Sequence, residues 1–186
     1  MPRHKKRQEG IMIKIELPLD RKKRVSLKTG QRLLLYGKLY TARDMAHKRL
    51  REMIRKRSPL PISLKGEILY YCGPTPPPPG RPIGSCGPTT SSRMDPFTIP
   101  LLKKGLGGMI GKGRRSPDIR RAIKSHRGVY LIATGGAGAL LSGKVKRASI
   151  VAFRDLGPEA IYELEVEGFP VIVAIDSRGR DIYDEK

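Results

Sequence analysis

Between Cys72 and Pro88 the chain holds so much proline and glycine, including four consecutive prolines at 76–79, that neither a helix nor a sheet ladder can pass through it. Consecutive prolines are stiff, so this block is an ordered connection rather than a loose one. Regular elements must lie on either side. Upstream, Ile11–Leu17 alternates apolar and polar residues as a strand with one buried face does. A basic turn at Arg21–Arg24 and a second strand at Arg32–Tyr36 follow. Ala42, Met45, Ala46, Leu50, Met53 and Ile54 recur at spacings of three and four, which predicts a helix over Ala42–Arg57. Thr41 is the expected N-cap, with Asp44 completing a capping box, and Ser58-Pro59 ends the helix. Glu67–Tyr71 is a short strand.

Downstream, Thr89 or Thr90 is expected to cap a helix running through Arg93, interrupted by Pro96 and Pro100. Gly105–Gly113 reads as a glycine-dense loop. Ser116-Pro117-Asp118 combines a cap, a proline at the first helical position and an early acid, and starts a helix that stops at Gly128. Val129–Ala133 is a buried strand, followed by Thr134-Gly135-Gly136 and a short apolar turn or helix. Ala148–Phe153, Leu164–Val166 and Val171–Asp176 complete the strands. The class is mixed α/β, without strict alternation of strand and helix. Cys72-Gly73-Pro74-Thr75 echoes Cys86-Gly87-Pro88-Thr89 locally, but no architectural repeat accompanies it.

A chain of 186 residues can bury one sizeable core. Its 38 Lys and Arg against 17 Asp and Glu give a net charge of +21. Such a surface attracts polyanions, whether nucleic acid, an acidic protein subunit or an anionic metabolite. Two cysteines make neither a disulfide framework nor a closed metal site and suit a reducing compartment. No apolar run is long enough to span a membrane, so a cytoplasmic protein is expected.

The chemistry-bearing residues gather in few places. Arg43 sits at a helix start, where a cation opposes the dipole by on the order of 0.3–1 kcal/mol unless it holds an anion together with the helix amides. An ordinary surface arginine is an equal reading; His47, one turn on, is expected to face the same side. Cys86–Asp95 offers four hydroxyls, Thr89 to Ser92, and Arg93 one turn after Thr89. A guanidinium there can hold a carboxylate for roughly 1.5–3 kcal/mol, although a helix cap beside a solvated arginine fits the residues as well. Gly111-Lys112-Gly113 fails the phosphate-loop pattern, because Leu106 and Gly113 stand where Gly and Ser or Thr are needed. Cys72 and Cys86 read as small buried residues, not metal ligands.

Five segments, LYTARDMAHKR (39–49), YYCGPTPPPPGRPIGSCGPTTSSRMD (70–95), MIGKG (109–113), GVYLIATGGAGALL (128–141) and LGPEAIYELEVEGFPVIVAIDSRG (156–179), change that balance. In this order they resemble the β subunit of two-subunit class I fumarases and tartrate dehydratases, or the C-terminal domain of their single-chain relatives. The basic residues 1–10 fall outside the resemblance. It implies a swivelling β/β/α domain over residues 11–186, docked on an α subunit, with an α2β2 assembly, and that subunit carries a [4Fe–4S] cluster. The implied reaction interconverts (S)-malate with fumarate and water; L(+)-tartrate dehydration is the alternative.

By motif position, Thr89 resembles the catalytic base, with Thr90 as its competitor. Arg43, Arg93 and Lys112 resemble the residues that bind a small dicarboxylate, with Asp44 and His47 in supporting places. A threonine hydroxyl is too weak a base alone and needs an activating group, which the resemblance places on the α subunit. A nucleic-acid-binding module is the reading from a different class. It is disfavoured by the lack of recognisable binding motifs, the absence of Trp and an aromatic content of only 5%.

Overall fold

The computed structural model of the protein describes residues 10–133 and 138–184. Its elements are β1 (Ile13–Glu16), α1 (Arg21–Ser26), β2 (Arg32–Thr41), α2 (Asp44–Arg55), β3 (Ile68–Tyr70), α3 (Asp95–Lys103), β4 (Gly108–Gly111), α4 (Pro117–His126), β5 (Val129–Ile132), α5 (Gly138–Ser142), β6 (Val145–Ala152) and β7 (Ile161–Ile175). Short 3-10 turns cover Ser91–Met94, Arg154–Glu159 and Ile182–Asp184.

Strands β1 to β5 run parallel to their neighbours in the order β1-β2-β3-β4-β5. β7 then pairs antiparallel with β5 on one side and with β2 on the other. The ring β2–β3–β4–β5–β7–β2 therefore closes the sheet on itself, and β6 pairs with the first part of β7. Side chains alternate across this sheet. Leu33, Leu35, Tyr70, Ile110, Leu131 and Phe169 fill one core inside the closed sheet. Leu69, Tyr71, Met109 and Tyr130 face the other way, against Ala46 and Leu50 of α2, Leu101 of α3 and Ile123 of α4. The result is the expected α/β class, layered β/β/α.

Several sequence expectations change. Strand and helix do alternate strictly from β1 to β5. The alternation was hidden because Gly108–Gly111, expected within a loop, is a buried strand. A Cβ on Gly111 would overlap Ser91 Oγ and come within 2.9 Å of Tyr71, so this strand has no room for the side chains that announce a strand. The basic turn is instead the helix α1, because Asp20 accepts from Lys23 N at 2.8 Å and caps it. Leu164–Val166 and Val171–Asp176, apart from Asp176 itself, are parts of one strand, β7. Gly168, at φ +66°, takes up the register shift between Leu35↔Phe169 and Tyr36↔Glu167 as a bulge. Thr41 belongs to β2 and accepts from Tyr162 N at 3.2 Å, so it caps nothing; Arg43 is the N-cap of α2. Thr134-Gly135-Gly136 lies outside the described residues.

Candidate functional site

In parallel sheets with helical crossovers, ligands gather beyond the carboxyl ends of the strands. Here those ends deliver Arg43 after β2, Gly73 after β3 and Lys112 after β4. A second stretch closes on them: Thr89 N donates to Tyr71 O at 2.7 Å, Lys112 N to Thr89 O at 3.3 Å and Ser91 N to Lys112 O at 3.0 Å. Thr89 and Thr90 are thus stitched beside the lysine by main-chain bonds, at the end of the stiff proline block. The 3-10 turn begins at Ser91, so Thr89 lies outside it and the expected helical spacing to Arg93 does not apply. Thr90 is the N-cap residue, but its side chain makes no cap bond.

Arg93 reaches the site another way. Its Nε donates to Asp44 Oδ1 at 3.0 Å, and its Nη2 lies 2.9 Å from the same oxygen as an ion pair. Arg43 Nε lies 3.7 Å from the other oxygen of Asp44, and both atoms are buried without a hydrogen-bond partner. Two arginines from distant parts of the chain thus meet at one carboxylate. Arg43 crosses directly over Gly73, where a Cβ would stand 2.9 Å from its Cδ. Glu159 Oε1 accepts from Met45 N at 3.4 Å and serves the start of α2 in place of the expected Thr41.

His47 does not share the outlook of Arg43. It is fully buried, its Nδ1 bonds the Arg43 carbonyl at 2.8 Å, and its ring meets Tyr71 edge-on at 5.1 Å. Burial is the main cause that brings its pKa down to about 4, partly opposed by that bond to Arg43. The imidazole is neutral at physiological pH, with Nδ1–H donating and Nε2 buried without a partner. Its place is under the helix start, as a prop.

One part of the site had no signal in the sequence. The Arg115 side chain is wholly buried, donating to Asp95 at 2.6 Å, to Thr98 at 2.9 Å and to the Tyr71 hydroxyl at 3.3 Å. It lies between the rings of Tyr71 and Tyr130, 5.4 and 5.0 Å from their centroids. Asp95 also accepts from Ser116 N at 2.9 Å, and Tyr130 OH donates to Ser91 Oγ at 2.8 Å. This network ties the turn carrying Arg93 to the loop after Lys112. Arg115 stands in a run of basic residues, and only tertiary contacts set it apart.

Cys72 and Cys86 are buried against one another in the inner core, and the contact with Cys86, then burial, pushes the Cys72 thiol up. Among the described residues no three His, Cys, Asp or Glu side chains are grouped to hold a metal. This donor set does not fit an iron–sulfur cluster. No helix among the described residues is long and apolar enough to cross a membrane.

The geometry defines a β/β/α domain that presents cationic side chains and a threonine at the carboxyl ends of parallel strands. The Fumarase C-terminus family matches residues 1–186, and the chain belongs to this family. It is 37% identical to fumarate hydratase 2 of Leishmania major over 95% of its own length and 32% of that protein. It is 38% identical to the anaerobic class I fumarate hydratase of Escherichia coli, over 95% of the chain and 33% of that protein. The chain thus spans about a third of these relatives. A protein of Methanocaldococcus jannaschii with the provisional name L(+)-tartrate dehydratase subunit beta is 41% identical, over 90% of the chain and 89% of that protein.

Proposed function

We propose that the chain is the β subunit of a two-subunit hydro-lyase that interconverts (S)-malate with fumarate and water. The observation that carries this reading is the meeting of Arg43 and Arg93 on Asp44, beside the stitched pair Thr89 and Lys112. Cations outnumber the carboxylate bonded to them, which suits a small dianion. Arg93 and Lys112 are exposed and Thr89 is partly so, leaving them open to a ligand or a partner face. In this reading Arg43, Arg93 and Lys112 bind and orient the substrate carboxylates. Thr89 removes the proton from the carbon next to the one that loses hydroxide, and Thr90 is its competitor. Asp44 holds Arg93 in place, and His47 supports Arg43 through its carbonyl.

A threonine acts as a base only beside a group that takes its proton. That group and the [4Fe–4S] cluster are assigned to an α subunit, with α2β2 as the expected assembly and the cytoplasm as its place. A match over 90% of the chain and 89% of a protein provisionally named as a β subunit supports the two-chain arrangement. The same match favours a second reading, L(+)-tartrate dehydration, which requires only room for one further hydroxyl. Reconstitution with the α subunit and assay on malate and L(+)-tartrate separates them. A large preference for tartrate in kcat/KM would replace the fumarase reading. Arg93→Ala is expected to cost at least about tenfold in kcat/KM, about 1.4 kcal/mol of transition-state binding. An unchanged value would leave this chain a purely structural subunit.

A further inference from the structure

A groove of about 670 Å³ lies along α4, between that helix and the C-terminal segment from Arg178 to Asp184. None of Thr89, Arg43, Arg93 or Lys112 lines it. Its walls carry Arg114, Arg120, Arg121, Lys124, Arg178 and Arg180, opposed by only two acids, Asp181 and Asp184. The walls are built, not draped. Arg120 Nε donates to Gly179 O at 2.5 Å, and Arg120 also pairs with Asp184. Gly179, at φ +79°, lies so close to α4 that a Cβ there would stand 3.2 Å from Lys124 Cβ. Arg180 is anchored on the buried Asp176 at 2.8 Å, and Arg114 stacks on Tyr183 at 4.8 Å.

The ion pairs around the groove use Arg120, Arg121 and Arg180. Arg114, Lys124 and Arg178 stay outside them among the described residues, and all three are exposed. A dicarboxylate has too little charge to use such a surface. A protein partner would meet aromatic or aliphatic anchors at the centre of its interface. Here the lining side chains are charged except for Pro117. Five of the six named cations are arginines, whose planar forks match phosphoryl oxygens bidentately. The volume lies in the range of cofactor-sized sites.

We propose that this groove binds a chain of phosphoryl groups, as found in a nucleoside triphosphate or a nucleic-acid backbone. The proposal is independent of the reaction at the other site. Calorimetric titration of the full chain at about 0.15 M salt, where the Debye length is near 8 Å, tests it. The titrants are tripolyphosphate, ATP, a short single-stranded RNA and an acidic peptide of poly-glutamate. Phosphoryl titrants are expected to bind, and Lys124→Glu with Arg178→Glu to weaken them at least tenfold, roughly the loss of one charge-assisted contact. Lys38→Glu with Lys146→Glu, at two lysines that line a separate pocket sharing no residue with this groove, removes the same charge elsewhere and is expected to leave binding within about twofold.

RNA binding more tightly than ATP assigns the ligand to a nucleic-acid backbone, and its salt dependence then falls by roughly 0.7 per lost phosphate contact. The reverse order assigns it to a nucleotide. Poly-glutamate binding as tightly as tripolyphosphate, equal losses in the two double variants, or no phosphoryl binding at all overturns the proposal. Should the charge-reversed groove variant lose its folded circular dichroism, Lys124→Gln with Arg178→Gln takes its place under the same criteria.

Discussion

The buried histidine under the α2 start makes the stability of this protein depend on pH in a calculable way. His47 has a pKa of about 4 in the folded protein, against an ordinary value of 6.5. Between these values the unfolded chain binds a proton that the folded chain refuses, so stability rises with pH across the window. The contribution is whole above about pH 6.5 and is lost as the pH falls towards 4. At 1.36 kcal/mol per tenfold in proton affinity, the full contribution is roughly 3 kcal/mol, of which about 2 kcal/mol has gone by pH 5.

Other groups titrate in the same window, so the informative quantity is the difference between wild type and His47→Leu. Leucine keeps much of the buried volume, cannot be protonated, and leaves the Arg43 carbonyl its bond from the residue-47 amide at 2.9 Å. Urea unfolding of both proteins at several pH values between about 7 and 5 should show wild type losing about 2 kcal/mol more than the variant. Parallel stability curves would mean that His47 is not held neutral by burial, and the prop assigned to Arg43 would fall with it.

Three further outcomes follow from the same contacts. Asp95→Asn leaves the buried Arg115 cation without its carboxylate and is expected to cost roughly 3–5 kcal/mol. At about 2–4 °C per kcal/mol that lowers Tm by about 6–20 °C; a thermal shift assay reads it, and a change under about 2 °C would deny the pair its role. Gly111→Ala drives a Cβ into Ser91 and Tyr71, an overpacking worth about 1–3 kcal/mol in a urea melt. In the assembled enzyme, Thr89→Val is expected to lower kcat by about 10²–10⁴ while Thr90→Val changes it little; the opposite order in a steady-state assay would move the base role to Thr90.

What could be read directly from the residues were local features with strong signals. The Ser116-Pro117-Asp118 helix start stands as expected, with Ser116 accepting from Ile119 N at 3.4 Å, because capping chemistry is decided within four residues. The apolar periodicity after Arg43 likewise set α2, since only one face of that stretch can be buried. The family was legible too, because long unusual strings such as GRPIGSCGPTTSSRMD survive without any knowledge of the fold. In each case the information lies between near neighbours in the chain.

Tertiary structure decided whatever depends on partners far apart in sequence. β4 is a strand because β3 and β5 pair with it on either side, while Tyr71 and Ser91 leave room only for glycine at position 111. Arg115 looks like its basic neighbours until Asp95, twenty residues earlier, and two tyrosine rings enclose it. Arg93 reaches Arg43 through Asp44, which lies 49 residues before it in the chain. Parallel pairing of β2 with β3 and of β3 with β4 brings their carboxyl ends together, and that pairing is a property no single segment contains.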